Sequence, residues 1–174
     1  MSSSAKGPKD NDFTVRIANV NGTGSASANS MLMKALFRMG IPVCGKNYFP
    51  SNIQGMPTWY EIRASGHGHL ARSGRVDVMV AMNAETYARD HACVAPGGYL
   101  IYDSTWPRSQ LFNRTDIHVI GVPLSHICNE NFAQARSRIL MKNIMYVGVL
   151  AALLDMDMQV IKGLLNEQFK AKAS

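Results

Sequence analysis

The sequence predicts a single-domain α/β protein, a three-layer α/β/α sandwich on a mostly parallel sheet. Three observations carry this expectation. Strand-like apolar runs alternate with amphipathic helical ones, the order that builds parallel sheets through crossover helices. The run Val76-Asp77-Val78-Met79-Val80-Ala81 is almost continuously apolar, as in a strand covered on both faces. A glycine-rich turn, Asn21-Gly22-Thr23-Gly24, stands between the first strand and the first helix, which makes the arrangement Rossmann-like. The 174 residues suffice for one domain with a substantial core, and no internal repeat is evident.

Taken in order, residues 1–12 are small, polar and charged and are expected to form a disordered leader, with the domain spanning 13–174. Residues 13–18 alternate apolar and polar side chains, a short strand. After the glycine turn, Met31, Leu32, Ala35, Leu36 and Met39 share one helical face, and Gly40 stops the helix. The apolar stretch 41–49 leads into a loop over 50–57 that carries two prolines and a glycine. Residues 58–64 alternate as a strand, 66–69 turn, and 76–81 form the buried strand. A helix over about 84–92, a Pro96-Gly97-Gly98 turn and a strand over 99–103 follow. A strand over 117–122 precedes two closing helices, about 132–154 and 158–171. Asp157 is the expected N-cap of the second.

The glycine turn is also the main candidate site. A strand, a tight turn and a helix N-terminus place unpartnered backbone amides and the positive end of a helix dipole together, which suits an anion. Gly22 and Gly24 would admit a phosphate close to the backbone, and Ser25 and Ser27 can cap the helix or bond an oxyanion. The pattern departs from a dinucleotide fingerprint. Ser27 stands at the third glycine position, and residues 41–49 hold no Asp or Glu for a ribose, so an NAD-type dehydrogenase is not expected. No Gly-Lys-Ser/Thr triplet follows, which disfavours ATP hydrolysis. The bland alternative is a turn that binds nothing.

Composition narrows the remaining classes. The net charge is +6, yet the basic residues are scattered and do not interleave with aromatics, so no nucleic-acid partner is expected. Only 17% of residues are charged and 11 are Met, which fits either core filling or a surface covered by a partner. Cys44, Cys93 and Cys128 are odd in number and far apart, a pattern of reduced thiols in the cytoplasm. No Cys-x-x-Cys occurs, and His67-Gly68-His69 lacks a nearby third ligand, so no metal site is assigned. No apolar stretch approaches a membrane span, and the N-terminus lacks a signal-type apolar core. Pairing Ser25 with His67 or His69 has no support in spacing, so no catalytic residue is named. Trp59, Tyr60 and Trp106 are expected as core or interface anchors, and the helix carrying Leu140 to Leu154 as buried on two sides.

Several motifs then fall in register with one family. The glycine loop with Ala28, Leu32 and Ala35 is one. Phe49-Pro50-Ser51-Asn52-Ile53-Gln54-Gly55 is similar to a Tyr/Phe-x-Ser-x-Ile-x-Gly loop. Asp77 to Asn83, Gly98 to Ser104, Val122-Pro123-Leu124, Lys142-Asn143 and Ile161 to Leu165 follow in the same order. Over about 13–172 the chain resembles the gamma subunit, or gamma domain, of the 2-oxoacid:ferredoxin (acceptor) oxidoreductases. It departs at Asn21, where the commoner loop reads Gly-Gly-Gln-Gly, and at Met56, where a second glycine is common. The departures look like the branch in which a gamma domain is fused ahead of an alpha domain, so a chain stopping at Ser174 is compatible with a piece of a longer polypeptide.

The resemblance implies a supporting part of an enzyme that decarboxylates a 2-oxo acid oxidatively to an acyl-coenzyme A. Thiamine diphosphate and 4Fe–4S clusters are then expected on alpha, beta and delta partners, with ferredoxin reached through the complex. For this chain it implies a possible coenzyme A contact through Asn21, Gly22, Thr23, Gly24 and Ser25, joined by Ser51, Asn52, Gln54 and Gly55. An interface loop is the competing reading of 51–55. The alternative to the whole reading is a free-standing Rossmann-like module that binds an anion or nucleotide or regulates a partner.

Overall fold

The computed structural model describes residues 11–49, 53–71 and 74–173. The expected leader lies outside these residues apart from Asn11 and Asp12. In chain order the elements are β1 (Asp12–Val20), α1 (Ser25–Arg38), β2 (Val43–Tyr48), β3 (Pro57–Ser65) and β4 (Val76–Ala81). They continue as α2 (Tyr87–Cys93), β5 (Val94–Asp103), β6 (His118–Val122), α3 (Leu124–Asn131), α4 (Ala135–Leu153) and α5 (Met158–Ala173).

The six strands form one sheet in the order β2-β3-β1-β4-β5-β6. β1, β4, β5 and β6 pair in parallel, whereas β3 runs antiparallel to both neighbours. Only β3 therefore opposes the rest. It does so because β2 and β3 form a hairpin with no crossover helix between them, which parallel pairing would require. Because β1, β4, β5 and β6 run the same way, the loops that follow them lie at the end of the sheet where β1 finishes, the end at which open α/β sheets hold ligands.

Alternation along each strand divides the core. Val15, Ile17, Ile62, Val78, Val80 and Ile101 face α1, α4 and α5, where Leu32, Leu36, Val147 and Leu150 meet them. The amphipathic face expected for α1 is the buried one, with Met31, Leu32, Ala35 and Leu36 all inside. Ala18, Trp59, Met79, Leu100 and Tyr102 face the other way, beneath Tyr87 of α2. α2 has only seven residues, so this third layer is thin. Toward β3 the face is completed by charge. Arg16 and Glu61 are direct cross-strand partners joined at 2.5 Å, the favourable arrangement for opposite charges on adjacent strands. Beside them the buried Asp90 accepts from Trp59 Nε1 at 2.8 Å and Thr86 Oγ1 at 2.6 Å. Burial raises the Asp90 pKa, although both hydrogen bonds act to lower it.

Three local expectations change. The helix expected over 132–154 starts at Ala135, because Phe132 is extended and ends the separate helix α3. α3 has no cap in its own sequence. Asp103, 22 residues upstream, accepts from Ser125 N at 3.2 Å, and Thr105 Oγ1 accepts from His126 N at 3.0 Å. Pro96-Gly97-Gly98 lies inside β5 instead of before it. The pairing passes from Val76↔Val94 to Val78↔Tyr99, and Gly97 at φ 76° absorbs the shift. The first turn of the expected 84–92 helix is 3₁₀, capped by Asn83, which accepts from Glu85 N at 3.0 Å. The expected cap of α5 is present, with Gln159 N donating to Asp157 at 2.8 Å.

Candidate functional site

The C-terminal end of β1 delivers Asn19 and Val20 into the glycine turn. Thr23 Oγ1 donates back to the Val20 carbonyl at 2.8 Å and to Asn19 Oδ1 at 3.1 Å, closing the turn. Gly22 has φ 89° and Gly24 φ 79°, conformations that L side chains adopt only under strain. Gly24 is the N-cap of α1, and no side chain caps the helix, so the capping role expected for Ser25 or Ser27 is not taken up. Ser25 instead begins the helix and is buried.

The β2–β3 loop folds over this turn. Asn21 N donates to the Met56 carbonyl at 2.9 Å, Gly55 N to the Asn21 carbonyl at 3.0 Å, and Asn21 Nδ2 to the Ile53 carbonyl at 3.2 Å. The two segments that the sequence assigned to one crevice, Asn21 to Ser25 and Gln54-Gly55, are thus fastened together. Ser51 and Asn52, assigned to the same crevice, lie outside the described residues. Both glycines are approached by the chain itself. A Cβ on Gly22 would stand 2.6 Å from Gln54 Cγ, and one on Gly24 2.5 Å from Leu140 Cδ2.

Behind the turn lies a network of side-chain amides that sequence reasoning did not assign. Asn19 Nδ2 donates to Asn143 Oδ1 at 3.1 Å, while Val20 N donates to Asn19 Oδ1 at 2.9 Å. Asn143 Nδ2 donates to the Thr23 carbonyl at 2.8 Å. One turn along α4, Tyr146 OH donates to Asn29 Oδ1 at 2.8 Å. Burial pushes the Tyr146 phenol well above its ordinary pKa, so it remains a proton donor. The available signal was polarity on an apolar stripe. Asn29 falls on the buried face of α1, and Asn143 interrupts the apolar run of α4.

A cavity of about 130 Å³ opens between α1 and the hairpin, lined by Asn19, Asn21, Ser25, Asn29, Asn47 and Thr58 among others. None of its lining side chains is charged. On the other flank of the α1 N-terminus, a groove of about 260 Å³ is lined by Gly24, Ser27, Leu140 and Arg136. The arrangement offers amide and hydroxyl partners on one side, and helix amides with a guanidinium on the other.

The Ser25–histidine pairing that spacing did not support is not assembled. His67 and His69 follow β3 at the end of the sheet away from Ser25, because Val20 pairs with Pro57 and Asp12 with Ser65. Nine residues of strand separate the two ends, about 25 Å of extended chain. Among the described residues no three His, Cys, Asp or Glu side chains come together to hold a metal, and no helix is long and apolar enough to cross a membrane.

The fold is an α/β domain of the Rossmann-like class, with openings on both flanks of a strand–glycine turn–helix junction. Within that class the chain belongs to the pyruvate ferredoxin/flavodoxin oxidoreductase family, whose model matches residues 14–174. It is 32% identical over 92 residues to 2-oxoacid:ferredoxin oxidoreductase 2, subunit alpha, of Aeropyrum pernix, covering 53% of this chain and 14% of that protein. It is similar in structure to the 2-oxoglutarate:ferredoxin oxidoreductase of Magnetococcus marinus solved with 2-oxoglutarate, coenzyme A and succinyl-CoA bound. There the TM-score is 0.80 at 25% identity, over 93% of this chain and 28% of that one. The pyruvate oxidoreductase subunit PORC of Thermotoga maritima shares the fold with a TM-score of 0.71 at 16% identity, over 91% of this chain and 85% of that one. The chain therefore spans less than a third of the length of the first two relatives.

Proposed function

We propose that this chain is the gamma subunit or domain of a thiamine diphosphate-dependent 2-oxoacid:acceptor oxidoreductase and supports conversion of a 2-oxo acid to acyl-coenzyme A without catalytic residues of its own. In this reading alpha and beta partners, with a delta partner where one exists, carry thiamine diphosphate and 4Fe–4S clusters, and ferredoxin is reached through them. The assembly works in the cytoplasm, in keeping with three unpaired cysteines. The exposed Phe49, Ile53 and Met56 around the hairpin loop support packing against a partner.

The observation that carries the reading is the fastening of the glycine turn to the hairpin loop around an amide-lined cavity. Coenzyme A combines an amide-bearing arm with phosphates. The uncharged cavity suits the arm, and the α1 amides with Arg136 suit the phosphates. Asn21 to Ser25, with Ser51, Asn52, Gln54 and Gly55, are the residues assigned to this contact.

Ala26 supplies the test. It is exposed in the first turn of α1, adjacent in sequence to Ser27 of the Arg136 groove, and no acidic residue occupies that turn. Ala26→Asp places a negative charge where the helix dipole favours it, about 0.3–1 kcal/mol in stability, yet where an anionic ligand is repelled. In the assembled complex the variant should keep its melting temperature and lose the coenzyme A-dependent rise. Equal coenzyme A shifts in variant and wild type would remove the ligand contact. Recovery of a tagged chain without any thiamine diphosphate-containing partner would remove the subunit reading and favour the free-standing module.

A further inference from the structure

We propose that Asn143 is a positioning residue that aims the backbone amides at the start of α1, an inference that rests on the coenzyme A reading above. Glycine populates positive and negative φ almost equally, so a turn with glycine on both sides of Thr23 does not fix its own peptide planes. Something outside the turn must choose. Asn143 Nδ2 donates to the Thr23 carbonyl at 2.8 Å from the buried side. The Thr23–Gly24 peptide is planar and trans, so its N–H points opposite to that carbonyl. Holding the oxygen inward turns the Gly24 N–H outward, to the face where Gly24 is exposed.

The amide of Asn143 is built for this one orientation. The residue is 3% exposed, and its side-chain oxygen is held by Asn19 Nδ2 at 3.1 Å, so the nitrogen must face Thr23. Asn19 Oδ1 in turn accepts from Val20 N and Thr23 Oγ1, which ties the same turn from the β1 side. α4 presents Leu140, Asn143 and Tyr146 at intervals of three, one helix face applied to the turn and to α1. Asn143 is the member of that face that sets a peptide plane. Leu140 only fills space over Gly24, and Tyr146 bonds a side chain beyond the turn.

The test compares Asn143→Asp with Tyr146→Phe in the full-length assembled enzyme. Asn143→Asp keeps the shape and the acceptor for Asn19 but replaces the donor to Thr23 with an oxygen that repels it. Tyr146→Phe removes a buried bond from the same helix and leaves the Thr23 plane alone. Asn143→Ala, which adds no charge, serves where the aspartate variant does not assemble. Freed peptide planes lower the competent fraction, so KM for coenzyme A should rise about tenfold in the Asn143 variant with kcat little changed. The amide NMR shifts of Gly24 and Ser25 should move alongside. Tyr146→Phe should lower the melting temperature without either effect. Equal KM changes in the two variants at equal loss of melting temperature would overturn the proposal, as would an unmoved Gly24 amide shift. A moved Gly24 shift with coenzyme A KM unchanged, together with a full coenzyme A thermal shift in Ala26→Asp, would overturn the coenzyme A reading and leave the Thr23–Gly24 plane under Asn143.

Discussion

Gly24→Ala isolates what the glycine turn requires of its own chain. The residue sits at φ 79°, where an L side chain costs about 1–2 kcal/mol. Its new Cβ would stand 2.5 Å from Leu140 Cδ2, against a comfortable carbon–carbon separation of about 3.5–4.0 Å. The methyl must therefore retreat by about 1 Å. Overpacking costs about 1–3 kcal/mol, and Leu140 is half-buried with its methyl at the flexible end, so the lower limit applies. The sum is about 2–3 kcal/mol, a fall of about 4–12 °C in melting temperature for a chain of this length. Urea unfolding of Gly24→Ala, Leu140→Ala and the double variant separates the two parts. With the methyl gone only the backbone strain remains, so the substitution at Gly24 should cost about 1 kcal/mol less in the Leu140→Ala background. Costs that add to within about 0.3 kcal/mol would show that Leu140 does not press on the turn.

Two further outcomes follow from the buried acids. Asp103 opposes burial with hydrogen bonds from Ser125 and Thr105 that outweigh it, so its pKa lies below the usual 3.8. A depressed carboxylate pKa stabilises the fold above 3.8, and that contribution is lost as pH falls through the lower folded value. Asp103→Asn should therefore weaken the fold at neutral pH and flatten its acid dependence below 3.8, measured by urea midpoints across that range. An unchanged acid slope would refute the assignment. Trp59→Phe removes the Nε1 donor from the buried Asp90 and should cost about 1–3 kcal/mol in urea unfolding. A loss below about 0.5 kcal/mol would show that water or another donor replaces the indole.

The elements legible from sequence were those whose pattern is local. Leu32, Ala35 and Leu36 repeat at helical spacing, and Val78 and Val80 alternate with Met79 in a strand covered on both sides, so α1 and β4 were plain. The direction of β3 was not, because a strand's alternation carries no sign. Nor was α3, whose cap belongs to Asp103 and Thr105 on another element. The site divided in the same way. Asn21, Gly22, Gln54 and Gly55 were legible because turn residues announce themselves. Asn19, Asn29 and Asn143 were not, because a buried amide has meaning only through its partner.

That division changes what the glycine turn can be asked to prove. Gly22 and Gly24 are demanded by positive φ and by the approach of Gln54 and Leu140, requirements that hold with no ligand present. The glycines alone therefore do not argue for a phosphate. The amides do argue for a function. Burying an amide without a partner costs about 1–3 kcal/mol, so a packed α/β core would ordinarily use apolar side chains at Asn19, Asn29 and Asn143. Asn19 and Asn143 converge on one turn, while Asn29 joins α1 to α4 through Tyr146, and none of the three is needed to form β1, α1 or α4, whose periodicity suffices. Asn19 and Asn143 hold a loop conformation that the apolar core does not by itself select. Under the proposal that this turn contacts coenzyme A, the buried amides fix the direction of the backbone N–H groups that the ligand would meet.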